Sequence, residues 1–66
     1  MAKISIDNGR TYCTAEEALN AHDLATIAHY MDDDTREQVH NELAPCTELE
    51  FLRRYLEIAP YDIVIG

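Results

Sequence analysis

Apolar residues recur along this chain at two periods, and the changes of period mark its elements. Lys3-Ile-Ser-Ile-Asp7 alternates at period two, Asn8-Gly9 follows, and Arg10-Thr-Tyr-Cys13 resumes. Asn-Gly readily takes the positive φ angles of a tight hairpin turn, so the pattern predicts a β-hairpin. A loop at Asn8-Gly9 sets the register: Asp7 faces Arg10, Ile6 faces Thr11, Ser5 faces Tyr12 and Ile4 faces Cys13. Ile4, Ile6 and Cys13 then share the buried face, with Asp7 and Arg10 as a cross-strand ion pair on the other.

From Thr14 the spacing becomes helical. Thr14-Ala-Glu-Glu17 reads as a capping box that starts a short helix at Ala15, and Asn20-Ala-His-Asp23 breaks it. Leu24, Ile27, Ala28 and Met31 recur as a buried stripe, predicting a second helix that ends near Met31. Asp32-Asp33-Asp34 supplies the next N-cap, with Glu37 three residues after Asp34 and Val39 and Leu43 as a thin apolar edge, in a third helix ending before Pro45. Thr47-Glu-Leu-Glu50 is a second capping box, and Cys46 is placed to pack on Phe51 as a hydrophobic staple. The fourth helix carries two apolar stripes, one of Leu49, Leu52, Leu56 and Ala59 and one of Phe51, Tyr55 and Ile58, until Pro60 stops it. Two stripes make it the central helix. Tyr61-Asp-Ile-Val-Ile65 is rich in β-branched residues and reads as a strand that joins the hairpin. The expectation is a single α+β domain over residues 1–66: a small three-stranded sheet packed by three to four short helices.

Size limits what such a domain does. A chain of 66 residues buries only about 60% of the surface its unfolded form exposes, which leaves little room for a deep catalytic cleft. No Ser, His and acid arrangement, glycine-rich phosphate loop or HExxH motif occurs, so the reading is of a protein that is not an enzyme and needs no cofactor. His22, His29 and His40 are 7 and 11 residues apart, and Cys13 and Cys46 are 33 apart; none of these makes the close pair a metal site usually shows. No apolar run approaches about 18 residues and no charged-then-apolar leader is present, so neither a membrane span nor a secretion signal is expected. The expected location is the cytoplasm, with both cysteines as thiols.

Charge is the feature that remains. Thirteen acidic residues face five basic ones, and between Ala15 and Glu50 ten carboxylates accompany a single cation, Arg36, a net of −9. Glu16, Glu17, Asp32, Asp33, Asp34, Glu48 and Glu50 fall in first helical turns or at caps, where the helix dipole favours anions. That accounts for their positions but not for the near absence of lysine beside them, since a merely soluble surface intersperses both signs. Asp32, Asp33, Asp34 and Glu37 are therefore read as the centre of a binding surface, with Glu16, Glu17, Glu42, Glu48 and Glu50 around it. A compact acidic protein can occupy a basic groove made for nucleic acid, which points to a protein partner and not to nucleic acid itself.

From Tyr30 onward the chain reads YMDDDTREQVHNELAPCTELEFLRRYLEIAP. This resembles a group of small phage and mobile-element proteins with the pattern Y-M-D-D-x-x-R-E-x-x-H-x-E-L-A-P-C-T-x-x-E-F, and E-L-A-P-C-T is its most specific part. In size, charge and lack of enzyme motifs the chain is similar to short acidic anti-CRISPR proteins, in particular inhibitors of type I-C systems. The resemblance implies a stoichiometric inhibitor, expected as a monomer, that docks on a basic surface of the multi-subunit surveillance complex or its nuclease and keeps target DNA out. A reading of a different class is an antitoxin-like or regulatory interaction module that uses an apolar patch in place of a charged one.

Overall fold

Four helices form where four oxygen-bearing side chains stand ready to start them. In this computed structural model, which describes residues 1–66, the helices are α1 (Ala15–Ala21), α2 (Leu24–Ala28), α3 (Asp33–Leu43) and α4 (Glu48–Ile58). Their N-caps are Thr14, Asp23, Asp32 and Thr47, each in extended backbone and each accepting from the amide three residues on. Every helix thus satisfies one of the N–H groups that its start leaves unpaired.

The details of these caps differ from the sequence expectation at two helices, α3 and α4. At α1 the capping box is complete, with the Thr14 amide donating to Glu17 at 3.1 Å. At α4 only half of it forms, because Glu50 accepts from the Thr47 hydroxyl at 3.0 Å and not from the Thr47 amide. At α3 the cap is Asp32, the first of the three aspartates, so Glu37 has no capping partner. α2 is also shorter than expected. Beyond Ala28 the chain tightens into bonds spanning three residues, from His29 to Thr26, Tyr30 to Ile27 and Met31 to Ala28, and this tighter turn buries Met31.

The sheet has two strands where three were expected. β1 (Ile4–Ser5) and β2 (Ile63–Val64) run parallel, with Ile4 opposite Ile63 and Ser5 opposite Val64. Of the predicted hairpin, the Ile4–Cys13 pairing forms as a single antiparallel bridge, and Asn8 and Gly9 do take positive φ angles of 60° and 85°. The other pairs fail because side chains intercept the backbone. Asp7 accepts from the Thr11 amide at 2.9 Å, the Thr11 hydroxyl at 2.6 Å and the Ser5 hydroxyl at 2.8 Å, while the Ser5 oxygen accepts from the Gly9 amide at 2.8 Å. Bonds of this kind offer the chain an alternative to the strand ladder. They also replace the expected ion pair between Asp7 and Arg10, since Arg10 is in no salt bridge. Ser5 is fully buried with its hydroxyl satisfied, whereas Ile6 and Cys13 are only half-buried.

The core lies between the sheet and the helices, and α4 is at its middle. Leu52, Tyr55 and Leu56 of α4 are buried with Ala15 and Ala18 of α1, Ile27, Met31, Val39 of α3, and Ile4, Ile63 and Ile65 from the sheet end. The Tyr55 hydroxyl is not idle there: it accepts from the Asp32 amide at 2.8 Å and so ties the start of α3 to α4.

Two measurements test this account. Leu52→Ala and Leu56→Ala should each cost about 2–5 kcal/mol of unfolding free energy in urea denaturation, as deletion of buried leucine atoms does. Asp7 provides a pH signature, because the Thr11 hydroxyl and amide and the Ser5 hydroxyl lower its pKa from the ordinary 3.8 to about 2. A depressed carboxyl pKa stabilises the fold above the unfolded value, and that stability disappears as pH falls through the folded value. The melting temperature of the wild type should therefore exceed that of Asp7→Asn near neutral pH, and the gap should shrink between 3.8 and about 2. A gap constant across that window would show that the loop does not depend on the charge.

Candidate functional site

Nine carboxylates were singled out by the sequence, and the structure sorts them by what each one touches. Three are paired with arginine: Glu16 with Arg53, Asp33 with Arg36 at 3.1 Å, and Glu42 with Arg54 at 2.9 Å. Three are bonded at helix starts: Glu17 and Asp32 as described, and Glu50 against Thr47. The last three, Asp34, Glu37 and Glu48, are exposed and in no ion pair.

Arg53 and Arg54 are the residues whose part was not read from the sequence. They are neighbours on α4, so their side chains leave the helix about 100° apart and reach different flanks. Arg53 goes to Glu16 on α1, and Arg54 to Glu42 on α3 and to Glu57 one turn along its own helix at 3.3 Å. The outer face of α4 therefore carries mixed charge, and one acidic residue of α1, Glu16, and one near the end of α3, Glu42, are met by its arginines. The signal was present: two adjacent arginines at the centre of the predicted central helix, in a chain with only five cations.

Asp34 and Glu37, which have neither a cation nor a capping role, lie on the outer face of α3. Thr35, Val39 and Leu43 turn inward on this helix, while Asp33, Asp34, Glu37, Gln38 and Asn41 are exposed. Asp33 and Glu37 are four residues apart and Asp34 and Glu37 three apart, spacings that place them as neighbours on one surface about 5–6 Å apart. Arg36, the sole cation of α3, leans back toward the preceding turn: its guanidinium donates to the Ala28 carbonyl at 3.3 Å as well as to Asp33. Asp32 stands at the head of this face. Its carboxylate accepts from the Thr35 amide at 3.0 Å and the Thr35 hydroxyl at 2.8 Å, which holds its pKa below the usual carboxylate range. The hydroxyl that grips its amide belongs to Tyr55, whose pKa is raised by burial, so that group stays protonated and neutral.

The cations not engaged with carboxylates lie at the opposite end of the chain's charge distribution. Lys3 sits over the Tyr12 ring at 5.3 Å, and Arg10 is exposed beside the turn. No three His, Cys, Asp or Glu side chains converge in the way metal ligands do. Cys13 donates to the Ile4 carbonyl at 3.6 Å, and burial is the main cause that pushes its thiol pKa up. Both cysteines are free thiols.

Cys46, expected to pack on Phe51 as a staple, stays largely in solvent. Together with the half-buried Phe51 it lines an open groove of about 320 Å³. The groove is bounded by Leu24 at the start of α2, His40 near the end of α3, the linking residues Ala44 to Thr47, and Glu48 at the start of α4. The linking segment is short, and the cis peptide between Ala44 and Pro45 lies within it.

A family model described as Anti-CRISPR protein AcrIC5 matches residues 20–58. No curated protein and no solved structure matches the chain. The matched segment runs from the end of α1 through α2, α3 and α4, and so contains the acidic face, the Arg36 and Arg54 pairs and the groove. It spans more than half of the 66 residues, and the chain belongs to the AcrIC5 family of type I-C anti-CRISPR inhibitors.

Proposed function

We propose that this anti-CRISPR protein acts by occupancy, setting its carboxylates against a basic, nucleic-acid-handling surface of the type I-C effector in the host cytoplasm, as DNA would. One copy covers one site, without turnover. The observation that supports this most is the outer face of α3, where Asp33, Asp34 and Glu37 are exposed within two helical turns and the latter two have no cation. Asp32 heads that face, Glu17, Glu48 and Glu50 add charge with no cation beside it, and Glu16 and Glu42 contribute less because Arg53 and Arg54 offset them.

The physical basis is counterion release. Duplex DNA carries one charge per about 1.7 Å of axis, and a protein groove that neutralises it is dense in lysine and arginine. A rigid helix with closely spaced carboxylates meets the same cations with little ordering left to do, because its residues are already fixed by caps and by the Tyr55 bond. At a net charge of −8 the chain itself is repelled by nucleic acid, so the partner is protein. No helix is long and apolar enough to cross a membrane.

The test removes charge while leaving shape. Asp33→Asn, Asp34→Asn and Glu37→Gln together delete three negative charges at exposed positions, and Asp32 is retained because its carboxylate caps α3. The variant should remain folded, with only a small fall in melting temperature from loss of the Asp33–Arg36 pair and of the first-turn charges. Its association with purified type I-C effector should slow by about tenfold or more at low ionic strength, and its rate should depend less steeply on salt. If the variant associates and inhibits as well as the wild type at physiological salt, these carboxylates are solvated helix-start residues and occupancy through charge is wrong.

A further inference from the structure

The junction of α3 and α4 carries a surface that charge does not explain. Leu24 and Phe51, both half-buried and packed on the core, line the groove, and exposed Ala44, Pro45 and Cys46 line it from the linking segment. His40, Thr47 and Glu48 make the polar part of its lining, and Glu48 is exposed and in no ion pair. Covering the apolar part of this lining with an apolar group removes it from water, which is favourable.

We infer that this groove receives an apolar side chain of the CRISPR effector, carried on a segment whose flanking residues are lysine or arginine. The inference rests on the charge-based reading for the identity of the partner and adds a second contact of different chemistry. Charge complementarity selects the occupant. Residues Ala15 to Glu50, which include nearly the whole groove, carry a net −9, and the unpaired Glu48 carboxylate lies at the groove itself. An acidic segment would be repelled on approach. A second copy of this chain, itself at −8, is disfavoured for the same reason. A cationic segment is drawn in, and its methylene stems add apolar contact beside the anchor. At about 320 Å³ the groove suits a side chain and not a whole helix. The two contacts then divide the work: exposed carboxylates raise the association rate, and a desolvated apolar anchor slows dissociation.

Charge and groove are separated by adding negative charge inside the groove. Ala44→Glu and Cys46→Glu, each made singly, place a carboxylate at an exposed groove position, and Cys46→Ser serves as the small control. Dissociation from purified type I-C effector should accelerate by about tenfold or more in each glutamate variant, as when an interface anchor is lost, with an unchanged melting temperature and near wild-type behaviour of Cys46→Ser. If charge alone held the complex, one more carboxylate would tighten it. Glutamate variants that remain bound as long as the wild type, or longer, therefore overturn the groove while leaving the charge reading intact. Wild-type association that is insensitive to salt overturns the charge reading, whatever the glutamate variants do.

Discussion

Everything in this chain is arranged around the inner stripe of α4. A domain this small buries a limited share of its surface, and Leu52, Tyr55 and Leu56 are the one group of side chains that the other helices and the sheet end jointly cover. α1 lies against one flank of α4 and α3 against another, each also held by an arginine that α4 supplies. Such exposed pairs contribute little individually, typically 0–1 kcal/mol. Their effect here is on arrangement: they fix which carboxylates are compensated and which remain free.

Tyr55 connects this core to the acidic face of α3. Its ring fills the interior and its hydroxyl accepts the Asp32 amide, so the first residue of the acidic face is positioned by a group with no exposure to solvent. Asp32 in turn spends its own carboxylate on Thr35. The same residue type therefore plays two parts within three positions: Asp32 is architecture, while Asp34, two residues on, has no ion-pair partner to satisfy.

The helices were legible in the sequence because their causes are local. A threonine or aspartate followed by helical spacing of apolar residues is enough, and all four helix starts fall where such residues stand. The sheet was not, because its outcome depended on competition between partners of similar strength. The Asp7 carboxylate and the Ser5 hydroxyl accept from the backbone amides of Thr11 and Gly9, and the strand ladder gives way to these bonds everywhere except at Ile4 and Cys13. Strand direction was equally hidden, since β1 and β2 pair in parallel across the four helices that separate them in the chain. Among the candidate residues, the number and location of carboxylates could be read from the chain, but not their division into paired, capping and free groups. That division is set by Arg53 and Arg54, whose reach depends on the tertiary packing of α1 and α3.

A net charge of −8 on so compact a body works against folding through self-repulsion. The four caps, with the Asp7 loop, relieve part of this by giving carboxylates amide and hydroxyl donors. The arginines relieve another part. Asp34, Glu37 and Glu48 are relieved by neither, and they lie on the α3–α4 pair that the family match covers. Glu48 borders the apolar groove, so uncompensated charge and uncovered apolar surface meet at the junction of the same two helices. Each feature alone is tolerable on a solvated surface. Their coincidence on elements held rigid by caps, by Tyr55 and by Arg54 is what an inhibitor requires if it must arrive quickly by charge and stay by desolvation.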